Sequence, residues 1–303
     1  MIRTIKKYAF ITALLIGTCG LLNAQNTDTK LVLLGTGSPF ADPAKSGPSL
    51  AIVVNNTSYI VDAGPGLVRR AAQAKELGFP SLDAAQLKTL FITHLHSDHT
   101  IGLADIILTP AVLDRNAPIA IYGPIGTKKM TDDLMSAYKE DVAIRINGLE
   151  KGDAIAYQVH TQEIKEGEIY KDSNLTVTAF KVKHGQWDHA FGFVFQTKDK
   201  KIVISGDCTY SENLIKYAKD CDILVHEVYS HAGLKKRTQK WQDYHSTFHT
   251  STYQLADIAN QVKPKLLILN HQLTFGTSLQ SLLDELKSKY AGPVVNGADL
   301  DVF

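Results

Sequence analysis

One pattern recurs along the chain and restricts how it can fold: a short β-rich run that ends in an acidic or imidazole side chain. Runs of this kind end at Asp62, His94, Asp207, Glu227 and His271, and helical patterns lie between them. Open α/β sheets carry their ligand sites at the carboxyl ends of the strands. We therefore expect these polar side chains to meet at one edge of the structure.

The periodicity of the rest of the chain predicts a mixed α/β fold. Strands are predicted over 31–34, 51–54, 59–61, 89–93, 119–122, 175–182, 191–196, 202–205, 223–226 and 266–270. Helices are predicted over 65–77, 103–113, 127–138, 211–218, 251–261 and 279–289. This alternation predicts mixed sheets covered by helices. Because no linker or low-complexity tract divides the chain, we predict a single domain.

The first 24 residues have the order of a secretory signal peptide. Arg3, Lys6 and Lys7 precede an apolar stretch over 9–22, which small and polar residues follow. The apolar stretch is short for a membrane span, and we predict no span after cleavage. We predict cleavage after Ala24 and a periplasmic or secreted domain over 25–303. A form anchored to lipid through Cys19 is the lesser alternative.

The amino-acid composition excludes some classes of function for this chain. Hydrophobic residues make up 44% and charged residues 21% of the chain, as in globular proteins. Lys and Arg total 32 against 31 Asp and Glu, and three of these cations lie in the predicted signal peptide. The remaining domain is mildly acidic, which disfavours nucleic acid as a partner. Cys208 and Cys221 are too few for a disulfide framework, and two buried thiols are favoured over a pair.

The densest chemical signal is the segment His94-Leu95-His96-Ser97-Asp98-His99. In an extended backbone alternate side chains share a face, so His94, His96 and Asp98 are expected to point the same way. His99 is expected to turn in where the next helix begins. Imidazole nitrogens together with a carboxylate suit zinc or a similar divalent ion. The segment therefore predicts a metal site.

The chain resembles the metallo-β-lactamase superfamily in motifs spread over most of the predicted domain. They are the His-x-His-x-Asp-His segment, Val-Asp-Ala-Gly at 61–64, His184-Gly185, Ser-Gly-Asp at 205–207 and Asn270-His271. Within the superfamily, His226-Glu227 and His249-Thr250-Ser251 resemble the ribonuclease Z and arylsulfatase-type branch. The resemblance covers residues 31–301 and implies an α/β fold, the single-domain αββα four-layer sandwich.

The resemblance also implies a centre with two metal ions. One ion is expected on His94, His96 and His184, a second on Asp98, His99 and His271, with Asp207 bridging them. Asp62 is expected to brace the metal-binding loop without touching an ion. We expect two Zn²⁺ ions per chain, with Mn²⁺ or Fe as alternatives.

Three side chains are expected to act in catalysis: Asp98, which is also a ligand, His249 and Glu227. Ser251 and Gln254 match a helix-capping pair, which would place His249 just before the N-terminus of a helix. The resemblance makes His249 a general acid or an oxyanion-stabilising group, with Glu227 orienting its ring.

The other histidines are given lesser roles. His245 offers a rival His-Ser-Thr match and is interpreted as a loop histidine near the cleft. His189 competes with the preferred ligand His184, which ends a predicted strand. His226 is expected to be structural, and His160 and His231 to be solvated.

These features predict an exported hydrolase of small anionic esters, either aryl sulfates or phosphodiesters, that uses a metal-bound hydroxide. Two divalent ions with two carboxylates and neutral imidazoles keep an excess of positive charge, which favours anions. Ribonuclease Z carries a tRNA-gripping arm between the later ligand His and the bridging Asp. Only 22 residues separate His184 from Asp207, which leaves no room for such an arm. β-Lactamase or lactonase activity and a non-catalytic zinc-binding protein are the alternatives, and a homodimer is left open.

Overall fold

The computed structural model describes residues 28–303, in which two β-sheets pack face to face and helices cover both outer faces. The predicted αββα four-layer sandwich is confirmed. The predicted signal peptide and the cleavage site after Ala24 lie outside the described residues. Between residues 28 and 303, no helix is long and apolar enough to cross a membrane.

The first sheet has six strands, which are neighbours in chain order: β1 (Lys30–Gly35), β2 (Ser49–Val54), β3 (Thr57–Val61), β4 (Thr89–Phe91), β5 (Ile119–Gly123) and β6 (Val159–Glu163). Strands β1 to β3 are antiparallel, and β3 to β6 are parallel. Because β3 and β4 run side by side in the same direction, Asp62 and His94 emerge at the same edge of the sheet.

The second sheet has seven strands in the spatial order β13, β12, β11, β10, β9, β8 and β7. Their bounds are β7 (Gly167–Lys171), β8 (Leu175–His184), β9 (Trp187–Thr197), β10 (Lys201–Ile204), β11 (Ile223–Tyr229), β12 (Leu266–Leu273) and β13 (Val294–Asn296). Strands β7 to β10 are antiparallel, and β10 to β13 are parallel. Strands β8, β10, β11 and β12 therefore all point their carboxyl ends toward the same edge.

Helices form the two outer layers. The first sheet is covered by α1 (Leu67–Glu76), α3 (Leu103–Val112) and α4 (Thr127–Ala137). The second is covered by α6 (Glu212–Ala218), α9 (Thr252–Val262) and α10 (Leu279–Lys287). The remaining α-helices between residues 28 and 303 are α2 (Ser97–Thr100), α5 (Lys139–Asn147), α7 (His231–Lys235) and α8 (Gln239–Phe248).

The facing sides of the two sheets bury a common apolar layer. Phe91 of the first sheet packs edge-on against Phe193 and Phe195 of the second, with ring centroids 6.0 and 5.5 Å apart. All three rings are fully or almost fully buried. Aromatic pairs in this geometry add stability beyond the area that they bury. The layer holds both sheets together, so strand ends from both contribute to one site.

The ten predicted strands and six predicted helices are all present. The strand predicted over 89–93 is shorter, because β4 ends at Phe91. The prediction missed three strands and four helices, β6, β7, β13, α2, α5, α7 and α8.

A fully buried guanidinium holds the end of α3 in place. Helix α3 contains Pro110, which has no N–H to donate to the carbonyl of Ile106 four residues earlier. Arg115 Nη1 donates to that carbonyl at 3.0 Å, and its Nη2 donates to the carbonyls of Ile107 and Ala156. Burial lowers the pKa of Arg115 to about 10, so the side chain is still charged at pH 7.

We expect Arg115→Leu to lower the free energy of unfolding by about 3 kcal/mol or more, because it leaves several buried carbonyls without a donor. Denaturant unfolding of the metal-free protein measures this change. The matched control is Arg69→Leu, because the side chain of Arg69 is 82% exposed and forms a surface ion pair with Asp105. The control should change the stability by no more than about 0.5 kcal/mol. An equal effect of both substitutions would contradict the role given to Arg115.

Candidate metal centre

The carboxyl ends of five strands deliver four predicted ligands and the predicted catalytic residue Glu227 to one buried cluster. His94 follows β4, His184 ends β8, Asp207 follows β10, Glu227 lies in β11 and His271 lies in β12. Each of these side chains is at least nine-tenths buried. Residues as much as 177 positions apart along the chain are therefore neighbours in space. This is the convergence expected from the strand-end pattern.

The cluster contains the two predicted ligand triads. In the first, His96 Nδ1 lies 3.1 Å from His94 Nε2 and 3.0 Å from His184 Nε2. The second consists of Asp98, His99 and His271, whose ligand atoms lie within 4.8 Å of one another.

Asp207 lies between the triads. Its Oδ2 is 3.5 Å from the Nε2 atoms of both His99 and His271, and the residue also groups with His94. A carboxylate in this position would be able to contact two ions held by the triads, which is the role that the resemblance implies for Asp207.

The backbone of the dense segment differs from the extended strand that was predicted. His96 is the N-cap of α2, and Ser97–Thr100 form a single helical turn. The alternation argument for His94, His96 and Asp98 was therefore wrong at Asp98. Asp98 reaches the cluster from the first turn of a helix, and His99 comes from the same turn.

Two residues of the site adopt the left-handed backbone region that non-glycine residues rarely occupy. Asp62 has φ 60° and His271 has φ 46°. In the pairing of β11 with β12, Glu227 is opposite Asn270 and Val228 is opposite Gln272, so His271 is an extra residue in the ladder. Such a bulge redirects a side chain relative to the sheet. Backbone strain of this kind is typical of functional sites.

Hydrogen bonds behind the cluster fix which ring nitrogen faces inward. Asp62 Oδ2 accepts from His99 Nδ1 at 2.8 Å, which leaves Nε2 of a neutral His99 unprotonated. The Thr93 hydroxyl donates to Asp62 and lies 3.0 Å from His94 Nδ1, so it accepts the proton on that nitrogen. The Phe248 carbonyl accepts from His184 Nδ1 at 2.7 Å. The unprotonated Nε2 atoms of His94, His99 and His184 therefore face the middle of the cluster.

This donor set fits divalent metal ions. His99 Nε2 is buried and has no hydrogen-bond partner. Burial opposes protonation of His99, but the negative charges of Asp207 and Asp62 outweigh it and raise the pKa of His99 well above its ordinary value. Positive charge is therefore stabilised at this position. Neutral imidazoles and carboxylates at such spacing are ligands for zinc and related ions.

The electrostatics of the other ligands agree with this interpretation. Burial lowers the pKa of His184 to about 3, so its ring is neutral at pH 7 and free to act as a ligand. Burial of Asp207 opposes its ionisation, but His271 and His99 hold the pKa of that carboxyl well below its usual range. Asp207 is therefore an anion at pH 7.

His249 and Glu227 form a pair beside the ligands. His249 Nδ1 lies 3.4 Å from Glu227 Oε2 and 3.8 Å from Asp207 Oδ2. Glu227 Oε1 accepts from the backbone N–H of Thr250 at 2.8 Å. Burial and the charge of Asp207 raise the pKa of Glu227 well above its ordinary value. Burial lowers the pKa of His249 to about 4.

The predicted capping box is present. The Ser251 side chain accepts from the Gln254 N–H, and the Gln254 side chain accepts from the Ser251 N–H. The cap begins α9 two residues after His249, which is the C-cap of α8. His249 is thereby held between two helices, with its ring 5.8 Å from that of His271.

The remaining histidines lie away from the two triads. His245 is not in a loop, as had been predicted, because it occupies the last turn of α8. His226 is fully buried and contacts the Glu227 carbonyl. His189, in β9, belongs to none of the metal-binding groups among the described residues. His160, in β6, is exposed, and His231 is partly buried at the start of α7.

Sequence reasoning missed contacts that support the site. Trp187 donates from Nε1 to His96 Nε2 at 2.6 Å. Phe248 was not singled out, although its carbonyl orients His184 and its ring stacks on Tyr244. Thr93 directly precedes His94, and that adjacency was the available signal. Cys208 and Cys221 are both free and buried.

The four-layer fold and the histidine and carboxylate cluster together define a metal-dependent hydrolase that acts on ester bonds. A model of the beta-lactamase superfamily domain matches residues 57–272, and the chain belongs to this superfamily.

Named relatives include two bacterial proteins called ribonuclease Z. The protein from Mycobacterium bovis (strain BCG / Pasteur 1173P2) is 28% identical over 246 residues, which cover 80% of this chain and 85% of that protein. The protein from Mycolicibacterium gilvum (strain PYR-GCK) is 28% identical over 249 residues, with 80% and 83% covered. The name of these relatives conflicts with the expectation, drawn from charge, that nucleic acid is disfavoured as a partner.

Solved structures share the fold. The metallo-beta-lactamase fold protein YhfI from Bacillus subtilis superposes with a TM-score of 0.70 at 16% identity, covering 91% of this chain and 99% of that one. The short form of human tRNase Z superposes with a TM-score of 0.65 at 20% identity, covering 90% and 98%. At these identities the likeness concerns the fold alone.

Proposed function

We propose that the protein is a zinc-dependent phosphodiesterase. The observation that carries this proposal is the pair of ligand triads on either side of Asp207, with His249 held beside them. His94, His96 and His184 would hold one ion, and Asp98, His99 and His271 the other. Bound there, divalent ions supply an acidified water and positive charge that stabilises developing negative charge.

Side chains of the protein would balance the charge of the ions and transfer protons. Two carboxylates, Asp98 and Asp207, balance only part of the charge of two divalent ions, so the site attracts anionic esters. Asp98 Oδ2 lies 3.1 Å from His271 Nε2 within the second triad, and we propose that this carboxylate would also accept the proton that the attacking water loses. We therefore give Asp98 both a ligand role and a catalytic role.

His249 is proposed as the proton donor to the leaving group. Glu227 Oε1 is occupied by the Thr250 N–H, while Oε2 and His249 Nδ1 are buried, unpartnered and face each other. Burial and the charge of Asp207 raise the pKa of Glu227, and we propose that its carboxyl carries a proton that it donates to His249 Nδ1, 3.4 Å from Oε2. A hydrogen bond from Glu227 to Nδ1 places the ring's own proton on Nε2, where a substrate oxygen can take it. As that proton leaves, Nδ1 takes the proton of Glu227, so the ring stays neutral and the Glu227 carboxylate keeps the negative charge.

Small phosphodiesters are the proposed substrates, with aryl sulfates as near isosteres. Strands β9 and β10 occupy nearly all the chain between His184 and Asp207 and are joined by only three residues, 198–200. Both strands are paired within the second sheet, so no arm projects from this segment. The relatives named ribonuclease Z support RNA as a second candidate substrate.

A substrate panel tests the proposal. We expect the zinc-loaded protein to hydrolyse bis(p-nitrophenyl) phosphate, and to hydrolyse it faster than a β-lactam or a lactone. The panel should also contain an aryl sulfate and a precursor RNA with a 3′ extension, and turnover is measured as product released per mole of metal-loaded protein. Two bound metal ions without turnover of any ester would contradict the proposal and favour a zinc-binding protein.

A further inference from the structure

A concave feature lined mostly by aromatic rings lies next to His249. It is a cavity of about 240 Å³ lined by Phe40, Arg237, Trp241, His245 and Phe275, which we call the aromatic cavity. Four of its five wall residues carry planar rings. His245 and Trp241 project from the same face of α8, four residues apart, with ring centroids 5.5 Å apart and planes 23° from parallel.

The aromatic cavity lies beside the catalytic residues. The His245 ring lies 5.5 Å from the His249 ring on one side and 4.6 Å from the Phe275 ring on the other. Phe275 follows the ligand His271 by four residues. A group in the cavity would therefore be separated from the proposed proton donor by one imidazole ring.

The walls are not packed as an ordinary apolar core. Phe40 is 67% exposed and Trp241 is 50% exposed, although both are large hydrophobic side chains. His245 Nδ1 is buried and has no hydrogen-bond partner. The Arg237 guanidinium lies 5.9 Å from the centre of the Phe275 ring, so a cation stands at one wall. Exposed rings, an unpartnered nitrogen and a cation are the features of a site for an aromatic anion.

We propose that the aromatic cavity is a substrate subsite that binds the planar ring of an aromatic phosphate ester. The ring stacks against Trp241 and Phe40, and the phosphate extends past His245 toward the metal centre. Arg237 adds positive charge at the wall. This inference rests on the proposed phosphodiesterase function and specifies its substrate class: esters that carry a nucleobase or another aromatic ring, in preference to alkyl esters.

Competitive inhibition of the zinc-loaded enzyme tests the subsite without the differences in leaving-group reactivity that affect substrates. The probes are methyl phosphate, phenyl phosphate and adenosine 5′-monophosphate. For Trp241→Ala we expect the inhibition constants of the two aromatic probes to rise roughly 5- to 150-fold, the range measured for loss of one stacking partner. The constant for methyl phosphate should hardly change.

Matched variants separate stacking from general damage. Trp241→Phe keeps a ring and should retain most of the preference for aromatic probes. Phe40→Ala removes the other ring that is proposed to stack on the ligand. Tyr253→Ala, which removes a 40% exposed ring of α9 outside the cavity, should leave all three constants unchanged.

The outcomes distinguish the two proposals. Equal weakening of methyl and phenyl phosphate by Trp241→Ala, or no weakening of either, would overturn the subsite. A loss confined to phenyl phosphate would assign it to small aryl esters, and a loss for both aromatic probes would include nucleobases. Calorimetric binding of the same probes to the zinc-loaded protein needs no turnover. If the aromatic preference is present there and no diester is hydrolysed, the phosphodiesterase function fails and the subsite stands.

Discussion

Replacing His249 with alanine is expected to lower kcat for bis(p-nitrophenyl) phosphate by about 10²- to 10⁴-fold, the usual contribution of a positioned acid or base. The metal content should stay near that of the unsubstituted protein, because His249 Nδ1 faces Glu227 rather than completing either predicted triad. Metal analysis and steady-state kinetics on the same preparation measure both quantities.

The leaving group gives a sharper readout for the same variant. An ester with a poor leaving group, such as phenol, needs protonation more than one that releases p-nitrophenol. The loss in His249→Ala should therefore be larger for phenyl esters than for p-nitrophenyl esters. His160→Ala, at an exposed histidine of β6, is the matched control and should change neither rate. Simultaneous loss of metal and turnover would show that His249 is a ligand.

Much of the fold was predictable because several of its central strands contain apolar runs. Strands β2, β11 and most of β12 are buried on both faces, and each contains a continuous run of branched aliphatic residues, IVV in β2, ILV in β11 and LLIL in β12. Polar residues directly after such runs mark the strand ends, which is why Asp62, His94 and Asp207 could be placed together. The capping box at Ser251 was equally local, because both of its partners lie within four residues.

The missed elements lack these local signals. Strand β6 has the sequence VHTQE with no fully buried residue, and β7 is similarly half-exposed, so neither has an apolar run to detect. Helix α8 combines polar and aromatic residues with only Phe248 buried. Its aromatic rings face the site and the aromatic cavity, which is a tertiary arrangement. Placing His245 in a loop was the consequence.

The orientation of the ligand side chains also could not be predicted from the sequence. The bulge that turns His271 depends on how β11 and β12 pair, and Glu227, which is opposite Asn270 at the bulge, lies 44 residues before His271. The unprotonated Nε2 of His184 depends on the Phe248 carbonyl, 64 residues away. Both effects arise from contacts between distant segments, so a motif can identify the ligands without showing what orients them.

Removing the central carboxylate is the strongest test of the two-ion site. Asp207→Ala is expected to weaken metal binding by more than about 100-fold, because even partners that only orient ligands contribute 10- to 100-fold. The bound metal should fall from near two equivalents to one or fewer, and turnover of bis(p-nitrophenyl) phosphate should fall at least as far. Equilibrium dialysis with metal analysis measures the first effect independently of activity.

Two further variants make this result specific. Asp62→Asn keeps the shape of a side chain that orients His99 and holds Thr93, and it should weaken metal binding by about 10- to 100-fold. Asp133→Ala, at an exposed carboxylate paired with Lys129 on α4, should leave the metal content unchanged. The affinity for metal should therefore be highest in Asp133→Ala, lower in Asp62→Asn and lowest in Asp207→Ala. If Asp207→Ala still bound two ions at the original affinity, Asp207 would not bridge them, and the proposed sharing of one carboxylate between the triads would be wrong.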